Sequence, residues 1–160
     1  MTIFTFVQKS GQTLFKLDAA MSGLGGASNE APGEAISRYI ASQDLRAKDL
    51  LVTYDGASKT VTVTGVAPDQ PTKEKIVLCC GNVYAVAKVD DQLTLAQTSP
   101  AAYPPSSMYV VKAGDTLSKI AKTVYGDPDM YQTIQTANEP MLKHPDSIYP
   151  GQQLRIPPKA

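Results

Sequence analysis

The sequence predicts an α+β protein with an N-terminal helical segment followed by two small domains. Three observations favour this class. The stretch TVTVTG at residues 60–65 alternates apolar and polar side chains as a half-buried strand does, whereas residues 36–40 and 117–124 carry apolar side chains at helical spacing. Residues 97–107 are rich in Pro and Ser and divide the chain as a linker would. A length of 160 residues is sufficient for two small domains.

The first segment, residues 1–28, is predicted to be helical. Ile3, Phe4 and Val7 recur at helical spacing up to Ser10, where Gly11 interrupts the pattern. Apolar residues then recur at helical spacing over residues 14–21, which predicts a second helix. A flexible stretch rich in glycine, residues 22–28, closes the segment.

Residues 29–96 predict a first domain of order α-β-β-α-β. Ile36, Tyr39 and Ile40 mark a helix face, and two strands follow on either side of the turn Asp55-Gly56. Asp69 or Thr72 begins a helix that runs through Cys80, and Gly81 stands where a left-handed C-terminal cap is expected. The last strand carries Val86, Val89, Leu93 and Leu95.

Residues 108–158 predict a second domain of order β-α-α-β. A strand at residues 109–111 precedes a helix at 116–123 that Asp115 is expected to cap, and Gly126 ends that helix. A second helix begins at Pro128 or Asp129, and a long loop leads to a strand at residues 154–156.

Charge and composition exclude several kinds of partner. Lys and Arg together number 15, equal to Asp and Glu, so neither a nucleic acid nor a polybasic membrane anchor is expected. No apolar run is long enough to span a membrane, and the N-terminus has no basic region before its apolar residues. We therefore expect a cytoplasmic monomer, and the adjacent Cys79 and Cys80 are expected to be buried, reduced thiols.

No pattern of residues predicts an enzyme. His144 is the sole histidine and lies in a predicted loop without a nucleophile pattern. Asp90 and Asp91 are neighbours on a strand, so their side chains point to opposite faces and do not form an acid–base pair. The cysteine and histidine spacing does not suit zinc, and clustered carboxylates for calcium are missing.

Residues 109–157 carry the motifs by which the last segment resembles a LysM domain. The matching stretches are YVVKAGDTL at 109–117, Ile120-Ala121, Tyr125-Gly126, Ala137-Asn138, IYPGQ at 148–152 and LRIP at 154–157. The middle segment resembles a BON domain through VTVTG at 61–65, Lys73-Glu74-Lys75, Gly81-Asn82-Val83 and Val89-Asp90-Asp91. This combination is similar to the small bacterial BON–LysM potassium-binding proteins.

The resemblance implies a K⁺ site made of main-chain carbonyl oxygens, which can replace the hydration shell of this ion. Helix C-termini supply such oxygens, because their last four carbonyls have no partner within the helix. The resemblance assigns the site to the carbonyls of Val7, Ser10, Gln12, Gly81, Val83 and Val86. We expect Gly81→Val to abolish K⁺ binding because a β-branched residue resists positive φ. The LysM domain is expected to dock on the BON domain when the ion is bound.

The alternative is a LysM protein that binds peptidoglycan fragments or N-acetylglucosamine after export by an unrecognised route. Its groove would lie between the loop that ends at Leu117 and the loop at residues 148–151. The residues expected to bind glycan are Gly114, Asp115, Thr116, Leu117, Ile148 and Tyr149. A third hypothesis, a BON domain that docks on lipid or on a larger assembly, has no support from the neutral charge.

Overall fold

A four-stranded sheet and a two-stranded sheet organise the chain, whose computed structural model describes residues 2–6, 32–96 and 105–159. The four-stranded sheet has the strand order β1-β4-β3-β2, with β1 at Thr2–Thr5, β2 at Lys48–Asp55, β3 at Thr60–Ala67 and β4 at Lys88–Leu95. Strands β3 and β4 are parallel, and the other two pairs are antiparallel. The parallel pair requires a crossover, which helix α2 at Gln70–Gly81 provides.

Helix α1, at Pro32–Ser42, and helix α2 pack on one face of this sheet. The predicted inward residues are confirmed, since Ile36, Ile40, Val61 and Val63 are each fully buried. The adjacent thiols on α2 are also buried, as expected. The order α-β-β-α-β predicted for residues 29–96 is therefore the observed one.

The N-terminal residues correct one prediction. Residues 2–5 form strand β1 rather than a helix, and Phe4 lies opposite Val89 of β4. Phe4 packs toward the core whereas Ile3 is half exposed, which is the two-residue alternation of a strand. Positions 3, 4 and 7 share one face of a helix, whereas a strand places 3 and 4 on opposite faces, so the spacing alone favours the helix; pairing with the edge of β4 decides in favour of the strand. The helices predicted up to Ser10 and over residues 14–21 lie outside the described residues.

The second domain has the predicted order β-α-α-β. Strand β5 lies at Ser107–Val110, helix α3 at Leu117–Tyr125, helix α4 at Tyr131–Ala137 and strand β6 at Gln153–Ile156. Single 3₁₀ turns at Pro128–Met130 and Pro145–Ser147 complete the connections. β5 and β6 pair antiparallel, and the two helices cover them around a core that includes Leu117, Ile120, Ile134 and Leu154.

The N-cap of helix α3 differs from expectation. Thr116, not Asp115, is the N-cap of α3, because its hydroxyl accepts a hydrogen bond from the Lys119 amide at 3.2 Å. The Asp115 carboxylate instead accepts from the Lys112 amide and the Tyr109 hydroxyl, and it therefore fixes the preceding turn. Gly126 ends α3 with φ of 78°, as predicted for a left-handed cap.

The helices in the described part of the chain are all too short or too polar to cross a bilayer.

Candidate ion site and domain interface

Helix α2 is positioned to present its C-terminus at the junction of the two domains. It begins at the predicted cap Asp69, whose carboxylate accepts a hydrogen bond from the Thr72 amide at 2.8 Å. Its last residue is Gly81, and the amide of Asn82 makes the final bond to the carbonyl of Leu78 at 2.9 Å. The carbonyls after Leu78 therefore lie beyond the hydrogen-bonded helix and carry the negative end of its dipole.

Gly81 is required for a reason other than the one predicted. It is absent from the residues with positive φ, and the C-cap is Asn82 with φ of −78° and ψ of 47°. The expected left-handed cap at Gly81 is therefore wrong. The ring of Phe6 lies directly over Gly81, so that an added Cβ would overlap three ring atoms. Only glycine leaves room for this contact, which joins the N-terminal strand to the end of α2.

The loop from Gly81 to Ala87, here called the ion loop, is held in a strained conformation. Ala85 has φ of 80°, a region that residues with a Cβ rarely occupy. Its carbonyl accepts a hydrogen bond from the Tyr54 hydroxyl at 2.9 Å, which fixes the orientation of that peptide. Backbone strain of this kind persists where surrounding contacts enforce it, and it concentrates at functional sites.

The three ion-loop carbonyls assigned to K⁺ differ in their existing partners. The Val83 carbonyl accepts from the Val86 amide at 3.1 Å, which closes a tight turn. The carbonyls of Gly81 and Val86 accept from no backbone amide among the described residues. All three residues are buried. The turn places Val83 and Val86 close together, and Gly81 precedes it as the last residue of α2.

The N-terminal half of the predicted site lies outside the described residues, since Val7, Ser10 and Gln12 fall between positions 6 and 32. The structure does show where the described N-terminal residues end. Phe6 donates its amide hydrogen to the Ala87 carbonyl at 2.8 Å and packs its ring on Gly81. The chain therefore leaves β1 beside both ends of the ion loop.

Strand β6 of the second domain meets the ion loop through Asn82. The Asn82 side-chain amide donates to the Gln153 carbonyl at 2.8 Å, and its side-chain oxygen accepts from the Gln153 amide at 2.9 Å. The Gln153 side chain in turn donates to the carbonyl of Thr5 in β1. Gln153 thus contacts both the ion loop and the N-terminal strand.

A buried ion pair forms a second connection between the domains. The Arg155 guanidinium lies 3.0 Å from the Glu74 carboxylate, and both side chains are less than a tenth exposed. Arg155 also donates to the Ala137 carbonyl at 2.7 Å and to the Ser106 hydroxyl at 3.1 Å, while the Ser106 amide donates to Glu74. Each charged group is therefore paired and hydrogen-bonded, which burial of charges requires.

A cavity of about 130 Å³ lies between the domains beside Asn82. Tyr39 and Cys79 line it from the first domain, and Tyr149 and Gln152 line it from the second. Burial raises the pKa of Tyr149 to about 12 and that of the Cys79 thiol to about 12. Both groups are therefore neutral at physiological pH.

The six residues assigned to glycan are not equally available. Gly114 and Thr116 are exposed, but Leu117 is buried in the core of its domain. Asp115 is occupied by its bonds to Tyr109 and Lys112, which together hold the pKa of its carboxyl below the usual value. Ile148 packs against the core, and Tyr149 faces the other domain across the cavity.

Sequence reasoning did not assign a role to Asn82, Gln153, Glu74 or Arg155. A strand residue between apolar Leu154 and Ile156 is expected to face water, so Arg155 gave no signal of burial. The burial arises because the other domain covers it. Asn82, Glu74 and Arg155 each belong to a family motif, but the motifs gave them no role in joining the domains.

Groups of three or more His, Cys, Asp or Glu side chains suited to a metal are not found within residues 2–6, 32–96 and 105–159.

Comparison with known proteins identifies both domains. A BON domain model matches residues 34–97, and a LysM domain model matches residues 109–157. The Potassium binding protein Kbp of Escherichia coli is 40% identical over 157 residues, which cover 98% of this chain and 99% of that protein. An uncharacterized protein of Deinococcus radiodurans is 51% identical over 51 residues, which cover 32% of this chain and 19% of that protein.

Proposed function

Because the chain belongs to the bacterial BON–LysM potassium-binding protein family, we propose that it binds K⁺ through main-chain carbonyl oxygens. The observation that carries the proposal is the likeness to Kbp over nearly the whole length of both chains. The two domain types are binding modules, which supports a binding protein rather than an enzyme.

The proposed ligands are the carbonyls of Gly81, Val83 and Val86, completed by those of Val7, Ser10 and Gln12. Support comes from the ion loop, where the buried residues Val83 and Val86 close one tight turn shortly after the buried Gly81, the last residue of α2. Further support comes from Phe6, the residue before Val7 in the sequence, because its ring lies against Gly81. K⁺ is large and weakly hydrated, so a cage of neutral oxygens suits it better than a cluster of carboxylates.

Isothermal titration tests the function directly. Chlorides of potassium, rubidium, caesium and sodium are titrated into the full chain at matched ionic strength. We expect a saturable heat with K⁺ and a weaker response with Na⁺. Equal responses to K⁺ and Na⁺, or none to either, would refute the proposal.

The location of the site needs a separate test. Crystals grown with rubidium chloride are measured at the rubidium absorption edge. We expect an anomalous peak within coordination distance of the Gly81, Val83 and Val86 carbonyls. A single peak in the LysM domain would leave K⁺ binding intact but would refute this assignment.

We further propose that the protein acts in the bacterial cytoplasm as a K⁺ sensor or buffer, where this ion is abundant. Cell fractionation followed by immunoblotting tests the location. Recovery in the periplasmic or extracellular fraction would refute it.

Glycan binding remains the alternative function, and the LysM match is the observation in its favour. We place it second, because Tyr149 faces the BON domain and Asp115 is already hydrogen-bonded. Chitin oligomers and muropeptides are titrated into labelled protein and followed by NMR. Saturable shifts at residues 114–117 and 148–151, without a response to K⁺ over Na⁺, would reverse the order.

A further inference from the structure

The outer edge of strand β6 explains why the two domains are joined at the ion loop. In an antiparallel pair, alternate residues direct their N–H and C=O groups away from the partner strand. Gln152 bonds to Val111 on the β5 side, so Gln153 and Arg155 direct their backbone groups outward. Such groups must find a partner when they are buried.

Two asparagine side chains cover this edge. Asn138, from the same domain, accepts from the Arg155 amide at 2.7 Å and donates to the Arg155 carbonyl at 3.0 Å. Asn82, from the BON domain, makes the same two bonds to Gln153 at 2.9 Å and 2.8 Å. Within the LysM domain, the backbone groups of Arg155 are therefore paired by a residue of the same domain. The backbone groups of Gln153 are paired by the ion loop of the BON domain.

Separation of the domains leaves the Gln153 backbone without its protein partner. Gln153 is only 6% exposed when the domains are docked. Separation also breaks the hydrogen bond from its side chain to the carbonyl of Thr5. The separated form must therefore rehydrate five groups, which are the Gln153 N–H and C=O, the side-chain amides of Asn82 and Gln153, and the Thr5 carbonyl. Since Asn82 stands between Gly81 and Val83, any change in its backbone position moves two of the proposed ligands.

We propose that Asn82 and Gln153 form a latch that couples ion occupancy of the loop to docking of the LysM domain. The latch rests on the proposed function, because it links K⁺ to a contact that is already present between the domains. Gln153 is a positioning residue and not an ion ligand. It contacts Asn82, which lies between the proposed ligands Gly81 and Val83, and Thr5, which precedes the proposed ligand Val7 in the sequence. By reciprocity, an ion that favours the latched loop is itself bound more tightly when the LysM domain is docked.

Hydrogen exchange in the unmodified full chain reads the latch directly. The Gln153 amide donates to Asn82, so its exchange rate reports how often the latch opens. The Arg155 amide, which donates to Asn138, is the internal reference within the same strand. Exchange is measured in KCl and in NaCl at matched ionic strength. We expect K⁺ to slow exchange at Gln153 by at least fivefold more than at Arg155.

Substitution tests the latch from both sides. Gln153→Met keeps a similar side-chain volume and removes the bond to Thr5, and Asn82→Ala removes both bonds to Gln153. Since a net hydrogen bond is equivalent to about a fivefold to tenfold change in an equilibrium, we expect each variant to weaken K⁺ binding by about that factor or more. The matched control is Gln132→Met on the exposed face of α4, which is expected to bind K⁺ as the parent does. Circular dichroism establishes that each variant is folded.

The outcomes separate the latch from the function. If the parent gives no K⁺-specific heat, the proposed function fails. If the parent binds K⁺ but exchange at Gln153 does not change relative to Arg155, the latch is refuted and the function stands. Folded Gln153→Met and Asn82→Ala variants with parental K⁺ affinity would also refute the latch.

Discussion

The ring of Phe6 lies so close to Gly81 that a Cβ added at position 81 would lie 2.0–2.2 Å from three ring atoms and force the ring to move. Phe6 is only 6% exposed and belongs to the core of the BON domain, so its ring has little room to withdraw. One contact thus joins the end of β1 to the end of α2, the two places from which the proposed ligands are drawn.

Gly81→Ala is expected to destabilise the protein by up to about 2 kcal/mol. Overpacking a core costs about 1–3 kcal/mol, and the better helix propensity of alanine offsets about 1 kcal/mol of this. Urea denaturation of Gly81→Ala, Phe6→Leu and the double variant measures the effect. We expect the double variant to be more stable than the sum of the single changes predicts, because a smaller side chain accepts the new methyl group. A Gly81→Ala variant as stable as the parent would show that Phe6 moves freely.

Arg155→Met is expected to lower the free energy of unfolding by about 3–5 kcal/mol. The change leaves the Glu74 carboxylate buried without its cation, which is the costly way to break such a pair. The double variant Arg155→Met/Glu74→Leu should recover much of the loss, because it removes both charges. Arg46→Met is the control, since Arg46 and Asp44 are both 87% exposed and their pair contributes little. Equal effects of Arg155→Met and Arg46→Met would contradict the importance of the buried pair.

Asp91 gives stability a distinctive dependence on pH. Burial raises the pKa of its carboxyl above the usual 3.8, although the Leu93 amide and the Lys73 cation act in the opposite direction. The folded state therefore binds more protons than the unfolded state between 3.8 and the folded pKa, and the contribution of Asp91 to stability falls as the pH rises through this window.

Asp91→Asn tests this sign, because asparagine keeps an acceptor for the Leu93 amide and cannot ionise. The stability of the variant minus that of the parent should increase as the pH rises through the window. A difference that decreases with pH would mean that Lys73 outweighs burial.

The two thiols should report different motions of the protein. Cys79 lines the cavity between the domains, whereas Cys80 is fully buried in the BON core, and burial raises the pKa of both thiols. In the Cys80→Ala variant, labelling of Cys79 by a thiol reagent at pH 8 should follow separation of the domains. In Cys79→Ala, labelling of Cys80 should follow unfolding of the BON domain.

K⁺ should slow labelling of Cys79 by a larger factor than labelling of Cys80, with NaCl as the reference. The reason is that the proposed latch holds the two domains together around the cavity that Cys79 lines, whereas Cys80 becomes accessible only when the BON domain unfolds. Equal factors at the two positions would indicate that the ion stabilises the BON domain without affecting docking.

Local patterns were sufficient to predict most elements. The alternation at residues 60–65 and the spacing of Ile36 and Ile40 placed two core faces correctly, because each pattern fits one period only. Asp69 and Gly126 were predicted as helix boundaries and are confirmed. Residues 2–5 were assigned to the wrong period, since pairing with β4 depends on residues almost ninety positions away.

The domain interface could not be predicted from local sequence, because it also depends on residues that are distant along the chain. Arg155 and Gln153 have polar side chains on a short strand, where local sequence favours exposure. Their burial depends on Glu74 and Asn82, which lie 81 and 71 residues away along the chain. The assignment of carbonyl ligands came from family resemblance, because main-chain oxygens leave no trace in residue types.

The bond from Gln153 to Thr5 joins residues 148 positions apart. During synthesis, the ribosome releases the N-terminal strand long before it makes the glutamine that covers that strand's last carbonyl. Nascent chains that stop before β6 therefore lack this closure, and the proposed latch cannot form until β6 has been made.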